Sequence, residues 1–226
     1  HDDIHAAKYK NLRDALAVFD NVTPEKIDVQ LLLSQNLGSK AEKIQIANEP
    51  FAMGSFGQVY NGKIDNETEV IIKILRPSVK QNLSFDLSLM NLAVKVINFF
   101  RSNDFLNSTT LFSEFKQITL KESDYTHEIQ LATDMDDVYE DHAMIKIPKT
   151  YKEYCTSEVI VQEKIHGTSL TKFLQYSKED QKALLCAYNS NLEEIMEELA
   201  FEALNAVFNG DPTHGDPHPG NIILLP

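Results

Sequence analysis

Residues 214–221 read His-Gly-Asp-Pro-His-Pro-Gly-Asn and are followed by the apolar residues 222–225. Within this stretch, Asn221 follows Asp216 by five positions. The same spacing occurs in the catalytic loop of phosphoryl-transfer enzymes, where the carboxylate meets the acceptor hydroxyl and the amide holds a magnesium ion. Asp and Asn are common residues, so one such pair is weak evidence. The prediction that this chain binds and uses ATP therefore depends on further elements upstream.

A candidate phosphate-binding loop lies at residues 52–59, which read Ala-Met-Gly-Ser-Phe-Gly-Gln-Val. The stretch fits the pattern G-x-G-x-x-G-x-V at every marked position except the first, where Ala52 replaces glycine. Backbone N–H groups must come close to the triphosphate oxygens in such a loop. Side chains at Gly54 and Gly57 would block that approach, which gives both positions a physical reason to be glycine.

Lys73 ends the run Val-Ile-Ile-Lys, fourteen residues after Val59. The run is a near copy of the V-A-I-K strand whose lysine binds the α and β phosphates of ATP. A partly buried ammonium needs a carboxylate partner, and Glu128 is our candidate. In a helix, Asp124 and Glu128 would share a face and repel each other unless Lys73, a magnesium ion or both faced them. As an isolated pattern, this acidic run is more typical of a solvated helix face.

Together these segments resemble the UbiB-type atypical kinases, also called the AarF or ADCK family. An ordinary protein kinase has a short connection between its lysine strand and its glutamate helix, whereas 55 residues separate Lys73 from Glu128 here. That insert favours the atypical family. The positions that carry the resemblance are residues 55–59, residues 72–77, Asp86, Glu122, Asp124, Tyr125, Glu128 and residues 214–221.

The resemblance implies an α+β fold of the two-lobed, protein-kinase-like type. A small lobe with an antiparallel sheet and a long helical insert would precede a partial, truncated helical C-lobe. In this division residues 1–47 form an N-terminal helical extension and residues 48–166 form the N-lobe. The insert occupies about residues 78–135, and residues 167–226 begin the C-lobe and include the catalytic loop.

The resemblance also implies roles for individual residues, with ATP and Mg²⁺ as cofactors. Asp216, Lys73 and Glu128 would be catalytic, and Asn221 would hold the metal together with a downstream Asp. The chain ends at Pro226 before reaching a D-F-G motif, so we expect a fragment that is inactive by itself. The residues expected to contact the nucleotide are Ala52, Gly54, Ser55, Phe56, Gly57, Val59, Lys73, Glu122 and Asp124, with Glu163 and Ile165 at the adenine-binding hinge.

The chain departs from the family pattern at two further points. The family's phosphate loop is Ala-rich, whereas Gly54 and Gly57 restore a more ordinary kinase loop, so an altered nucleotide preference is not carried over. The family's N-terminal K-x-G-Q motif is absent from the sequence.

The family's role in ubiquinone or isoprenoid-quinone biosynthesis implies an ATPase or a kinase acting on a lipid or quinone precursor. Two other interpretations stay open. One is a small-molecule phosphotransferase of the aminoglycoside or choline kinase type, whose catalytic loop also reads H-G-D-x-H-P-G-N-I. Against it stand the Arg-Pro pair after the Lys73 strand and the segment from Glu122 to Asp124. The other is a nucleotide-binding pseudokinase that has no turnover.

The amino-acid composition disfavours some classes of binding partner and predicts the compartment. The net charge of −13 comes from 34 acidic and 21 basic residues, which disfavours nucleic acid and anionic lipid. No apolar run approaches the roughly 18 residues needed to span a bilayer. Cys155 and Cys186 lack C-x-x-C spacing, which predicts free thiols and a cytoplasmic or other reducing compartment. A position at the periphery of a membrane is a further expectation for the full-length protein.

Histidine patterns allow a rival interpretation as a metal-dependent hydrolase. The residues concerned are His1 and His5, and His214 with Asp216 and His218. We favour an irregular loop oriented by imidazole hydrogen bonds, because Pro217 and Pro219 break strand geometry. His142 has no such pattern and is expected to be a surface or packing residue.

Periodicity and capping residues predict the elements that carry these motifs. Strands are expected at residues 58–64 and 69–75, joined by a turn at Asp65 and Asn66, and at residues 144–147 and 158–165. Five helices are expected, the third with an apolar stripe facing the core and the last a single long helix. The positions that define them are Leu12, Leu16 and Phe19; Thr23, Pro24 and Gly38; Leu83, Leu87, Met90, Val94, Ile97 and Phe100; residues 110–135; and Ser177, Asp180, Leu185, Tyr188, Leu192, Ile195, Leu199, Leu204 and Gly210.

Overall fold

The computed structural model describes residues 25–54, 56–100, 108–213 and 218–226. The chain divides into two compact units. One comprises His1–Thr126 with Lys152–Val161, and the other comprises His127–Tyr151 with Gln162–Pro226. The first predicted helix, at Leu12, Leu16 and Phe19, lies outside the described residues. The domain boundaries expected near residues 48 and 166 stay predictions.

The first unit is built on an antiparallel sheet. Its strands are β1 (Ile44–Ile46), β2 (Ala52–Met53), β3 (Gly57–Ile64), β4 (Thr68–Leu75) and β5 (Val159–Glu163). They are ordered β1-β3-β4-β5, and β2 also pairs with β3. The β3–β4 hairpin confirms the strands predicted at residues 58–64 and 69–75.

The turn of this hairpin lies where the sequence predicts it. Asp65 and Asn66 both have positive φ, at 49° and 65°. Such turns suit the right-handed twist of two paired strands, and Asn and Asp adopt them more readily than other non-glycine residues. Local turn chemistry therefore sets the register of β3 against β4.

The two faces of the hairpin differ in burial, as a period of two along each strand requires. One face is a core of fully buried side chains, namely Gln58, Tyr60, Val70, Ile72 and Ile74. The opposite face is only partly buried and carries Val59, Asn61, Ile71 and Lys73. Lys73 therefore lies on the partly buried face of the sheet.

Helix α1 (Val29–Leu37) packs Leu32 and Leu33 into the core of this unit. It ends at Gly38, as predicted. Its expected start at Thr23 and Pro24, which lie outside the described residues, is wrong, because residues 25–28 are not helical. Asp28 is the true cap, and its Oδ1 accepts a hydrogen bond from the Leu31 N–H at 3.0 Å.

Between β4 and β5 the chain forms a helical insert that begins with α2 (Pro77–Phe100). The helix is confirmed, but its predicted apolar stripe is only partly core. Leu87 is 6% exposed, whereas Met90 and Ile97 are 43% and 48% exposed. Helix α3 (Ser108–Glu122) packs against α2, and one helix covers only one side of another.

The predicted helical tract at residues 110–135 is two helices, α3 and α4 (Thr126–Tyr139). The break is local. Oδ1 of Asp124 accepts hydrogen bonds from the Thr126 N–H at 2.9 Å and the Thr126 hydroxyl at 2.6 Å, which starts a new helix. The expected helical pairing of Asp124 with Glu128 is therefore wrong, because Asp124 precedes the helix that carries Glu128.

In the second unit, the strand predicted at residues 144–147 is wrong. His142 Nδ1 accepts hydrogen bonds from the Met144 N–H at 3.2 Å and the Ile145 N–H at 3.0 Å. The Met144 and Ile145 N–H groups are therefore not available to pair with a neighbouring strand. The described contact of this segment with β5 in strand geometry is an isolated bridge between Thr150 and Gln162. The strand predicted at residues 158–165 is confirmed as the shorter β5.

The long helix predicted between Ser177 and Gly210 is also two helices, α6 (Lys178–Ala187) and α7 (Leu192–Asn209), which follow the short α5 (Leu170–Leu174). Ser177 and Gly210 cap the ends as predicted. Between the helices, Asn189 has φ 48° and Asn191 caps α7 through its Oδ1, 2.9 Å from the Glu193 N–H. Tyr188, Leu192 and Ile195 lie at the break and pack, with Leu185, against the core formed by Leu170, Phe173 and Leu224.

Candidate functional site

Strands β2 and β3 form a tight hairpin at the predicted phosphate loop. Ala52 pairs with Val59, and the Gly54 N–H donates to the Gly57 carbonyl at 2.9 Å. Ser55, a predicted nucleotide contact, lies outside the described residues. The Gly54 N–H is hydrogen-bonded within the hairpin, so it does not donate to a phosphate in this conformation. The expected contribution of Gly54 is therefore its lack of a side chain.

The two loop glycines have different surroundings. Gly54 is exposed, and a Cβ built on it would meet only the Gly57 carbonyl oxygen, at 3.9 Å. Gly57 is buried, and a Cβ there would lie 2.2 Å from the hydroxyl oxygen of Tyr125 and 3.1 Å from the Ile74 carbonyl oxygen. Only Gly54 therefore fits the expectation that a loop glycine keeps space open for a ligand.

Ala52, Val59 and Lys73 form one row across three strands. Ala52 is opposite Val59 in the β2–β3 ladder, and Val59 is opposite Lys73 in the β3–β4 ladder. Directly opposed residues in an antiparallel pair have side chains on the same face. The register thus places Lys73 beside the end of the phosphate loop, on the partly buried face of the sheet.

Phe56 is held to the start of the insert, because its carbonyl accepts a hydrogen bond from the Arg76 N–H at 2.9 Å. Arg76 begins the Arg-Pro pair that follows the lysine strand. This bond joins the loop to the end of β4, and the pairing of β2 with β3 holds the loop on the other side of β3.

Tyr125 contacts the predicted phosphate-binding lysine. Its side chain is 2% exposed, and the Lys73 ammonium lies 4.7 Å from the centre of its ring. The sequence places the two residues 52 positions apart, and no pattern in it indicates the contact. The sequence analysis names Tyr125 as a position that carries the family resemblance but does not predict its contact with Lys73.

The predicted acidic residues fall in both units. Glu122 ends α3 and Asp124 occupies the break, both in the first unit. Glu128 is exposed in the first turn of α4 and belongs to the second unit. Its pairing with Lys73 stays a prediction.

The predicted hinge begins at the end of β5. The Glu163 N–H donates to the Lys149 carbonyl at 2.8 Å, and its carboxylate accepts from the Lys149 N–H at 3.3 Å and the Lys146 ammonium at 2.5 Å. Glu163 therefore holds residues 146–149 in place. Ile165 is partly buried and lies beyond the strand, and its contact with adenine stays a prediction.

The predicted catalytic loop is described from His218 onward, so His214 and Asp216 lie outside the described residues. His218 Nδ1 accepts from the Gly220 N–H at 3.0 Å, and the Asn221 N–H donates to the His218 carbonyl at 2.8 Å. This confirms that the imidazole of His218 orients the loop by hydrogen bonds. The exposed Asn221 is then fixed by the strand that follows, β7 (Ile223–Leu224), which pairs with β6 (Thr168–Ser169).

His142, Glu198 and Glu202 form a cluster of possible metal ligands within the described part of the chain. Their nearest atoms are separated by 3.4 Å (His142 to Glu198) and 4.0 Å (His142 to Glu202). His142 Nδ1 already accepts two backbone N–H groups, so the proton of the neutral ring is on Nε2. In that tautomer Nε2, which lies 3.4 Å from a Glu198 carboxylate oxygen, carries the hydrogen and has no lone pair for a metal.

Three comparisons with known proteins show the family and the fold of this chain. A family description, the ABC1 atypical kinase-like domain, matches residues 17–226. "Probable protein kinase UbiB" of Tolumonas auensis is 27% identical over 220 residues, which cover 95% of this chain and 39% of the relative. "Protein ACTIVITY OF BC1 COMPLEX KINASE 1, chloroplastic" of Arabidopsis thaliana is 30% identical over 211 residues, covering 91% of this chain and 30% of the relative.

Among solved structures, a complex of Rv3197 with erythromycin from Mycobacterium tuberculosis is similar to this chain with a TM-score of 0.71 at 26% identity. The match covers 95% of this chain and 51% of that one. The chain thus spans about two fifths or less of the two curated relatives. Across the described residues, none of the helices combines the length and the apolar character that crossing a bilayer requires. The chain belongs to the ABC1 atypical kinase-like family, which includes the UbiB and chloroplast relatives, and it has their α+β, protein-kinase-like fold.

Proposed function

We propose that this chain binds ATP with Mg²⁺ and positions the γ-phosphate for transfer or hydrolysis. The observation that carries the proposal is the row of Ala52, Val59 and Lys73, which brings the phosphate loop and a cation to one face of one sheet. Phosphoryl transfer depends mainly on positioning and charge stabilisation, and a loop with an adjacent ammonium supplies both.

The residues present fit a triphosphate. Among the residues that the structure describes, an added Cβ on Gly54 would meet only the Gly57 carbonyl oxygen of its own hairpin, at 3.9 Å. Lys73 lies on the same face and supplies positive charge to the α and β phosphates. In the proposed site Glu128 fixes Lys73, while Glu122 and Asp124 carry the acidic motif of the family.

The chain also offers a ligand of the kind that Mg²⁺ prefers. The amide oxygen of Asn221 is a hard oxygen donor and would hold the ion together with a downstream Asp. When bound, the ion neutralises charge on the β and γ phosphates. We assign to Asp216 the orientation of the attacking hydroxyl or water and acceptance of its proton, and to Ile165 a backbone contact with adenine.

For the substrate we propose a lipid or phenolic precursor of an isoprenoid quinone, because relatives bear the name UbiB. A pseudokinase without turnover is the second candidate, since the loop, Lys73 and Asn221 can bind a nucleotide whether or not transfer follows. An aminoglycoside- or choline-kinase-type activity is the third, because the H-G-D-x-H-P-G-N-I loop is shared with that group.

The first test is calorimetric titration of ATP in the presence and absence of Mg²⁺. We expect Lys73→Ala to weaken ATP binding by about tenfold or more, the loss typical of a charge-assisted contact. Lys63→Ala is the matched control, because Lys63 is an exposed lysine on the same hairpin. Equal ATP affinity in the wild type and Lys73→Ala would overturn the proposal.

The second test separates the substrates. ATP hydrolysis is measured in the protein at its natural length with phenolic quinone precursors, with amino-alcohols and with neither, and Asp216→Asn serves as the inactive reference. Stimulation by phenols supports the quinone proposal, and stimulation by amino-alcohols supports the small-molecule phosphotransferase. Nucleotide binding without turnover in any arm supports the pseudokinase.

A further inference from the structure

We propose that Tyr125 is a positioning residue for Lys73 and that its hydroxyl is the reason residue 57 is glycine. This proposal rests on the proposed function in one respect only, namely that Lys73 binds the phosphates of ATP. The contacts among Tyr125, Lys73 and Gly57 all lie within the first unit and are independent of any ligand.

The ring of Tyr125 is held in a fixed place. Its side chain is 2% exposed, and its backbone N–H donates to the Ser157 carbonyl at 3.0 Å. It also lies between the ends of two helices, directly before α4 begins at Thr126. A buried ring tied at the backbone has few rotamers, so it can serve as a rigid support for a flexible side chain.

Lys73 uses this support. Its ammonium is 4.7 Å from the ring centre, within the roughly 6 Å over which an aromatic face attracts a cation. Lysine otherwise has several rotatable bonds and a mobile charge. The ring therefore restricts the ammonium to the part of the sheet face that lies beside the phosphate loop.

The other end of the same ring sets the identity of residue 57. A Cβ on Gly57 would lie 2.2 Å from the Tyr125 hydroxyl oxygen but 3.5 Å from ring atom Cζ. The first distance is a severe overlap and the second an ordinary contact. Removing the hydroxyl would therefore make room for alanine at position 57, apart from the 3.1 Å approach to the Ile74 carbonyl oxygen.

One aromatic side chain thus touches both parts of the proposed triphosphate site. Its ring face supports the cation, and its hydroxyl packs against the strand that leaves the loop. Displacement of the ring would shift Lys73 and Gly57 together, so we expect Tyr125 to set their spacing.

The first experiment needs no nucleotide. Lys73 is labelled with an amine-reactive reagent and followed by mass spectrometry in the wild type, Tyr125→Phe and Tyr125→Leu, with Lys63 as the internal reference. Phe keeps the ring face, so we expect an unchanged Lys73 rate. Leu removes the ring face, and we expect labelling of Lys73 to rise about threefold or more relative to Lys63. Similar rates in Phe and Leu variants would overturn the proposal.

The second experiment measures ATP affinity in the same variants. If Tyr125 positions Lys73, Tyr125→Leu should weaken ATP binding by about three- to tenfold, and Tyr125→Phe should keep the affinity of the wild type. If Lys73→Ala weakens binding and Tyr125→Leu does not, the positioning role is overturned. If Lys73→Ala itself has no effect, the proposed function fails, and the labelling rates alone decide whether Tyr125 holds Lys73.

The third experiment is a double-mutant cycle on urea unfolding. We expect Gly57→Ala to lower the unfolding midpoint in the wild type and to lower it much less in the Tyr125→Phe background, because the 2.2 Å overlap involves only the hydroxyl. Equal effects in the two backgrounds would overturn the role assigned to the hydroxyl.

Discussion

Val59 and Lys73 lie directly opposite each other in the β3–β4 ladder. Fourteen residues separate them in the sequence, and the turn at Asp65 and Asn66 brings them into register. A shift of register by one residue would move the lysine to the buried face. The function proposed for the sheet therefore depends on a turn far from the ligand.

Gly54 and Gly62 both lie in hairpins, but we expect them to be glycine for different reasons. The first leaves room for a ligand, and the second leaves room for neighbouring protein atoms. We expect Gly54→Ala to leave the free energy of unfolding nearly unchanged and to weaken ATP binding, because only the Gly57 carbonyl oxygen, at 3.9 Å, lies near its Cβ. Gly62→Ala is the comparison. Its Cβ would lie 2.7 Å from the Gln45 carbonyl oxygen, so we expect a loss of about 1–3 kcal/mol of stability. Urea unfolding and calorimetry distinguish the two, and a stability loss in Gly54→Ala would contradict this account.

The helix-ending glycines differ in how replaceable they are. Gly210 has φ 74° and ψ 24°, a left-handed conformation that Asn adopts at modest cost. Gly38 has φ 58° and ψ −132°, which is outside that region. Among the described residues, neither has a neighbouring atom within 4 Å of an added Cβ, so the expected cost is one of backbone strain.

We therefore expect Gly210→Asn to cost less than about 1 kcal/mol and Gly38→Asn to cost about 1–3 kcal/mol in chemical unfolding. The reverse order would show that contacts, rather than backbone conformation, select these glycines.

Stability should fall at alkaline pH through Cys155. Burial raises the pKa of the Cys155 thiol above its ordinary value of 9.0. The folded chain then keeps a proton that the unfolded chain releases, so this contribution is complete below about pH 9 and is lost as the pH rises toward the folded pKa. The urea midpoint of Cys155→Ser should fall less between about pH 8 and about pH 10 than that of the wild type. Cys186→Ser, which changes an exposed thiol, should behave like the wild type.

His142 should act as a structural donor and acceptor. We expect His142→Ala to cost about 1–3 kcal/mol, because it leaves the Met144 and Ile145 N–H groups without their acceptor. His142→Asn, which can replace that acceptor, should recover part of the loss. Zinc should not raise the thermal midpoint of the wild type. A zinc-dependent rise that disappears in His142→Ala would show that the ring binds metal through Nε2 after all.

The sequence by itself determined the elements whose signals are local. The hairpin with its Asp65–Asn66 turn follows from residues within one or two positions of one another, as do the helix ends at Gly38, Ser177 and Gly210. Since the phosphate loop and Lys73 are on strands joined by that turn, their placement on one sheet was predictable.

The sequence did not reveal the helix breaks at Asp124 and Asn189, although both are local, and only the tertiary structure decided the contact of Lys73 with Tyr125. Each break depends on a side chain that competes with the helix for backbone hydrogen bonds. The apolar periodicity fits one continuous helix and two shorter helices equally well, so it could not predict the breaks. The Lys73–Tyr125 contact joins residues 52 positions apart. Such a contact forms only after the insert has folded back on the sheet, because long-range packing rather than local preference brings its two side chains together.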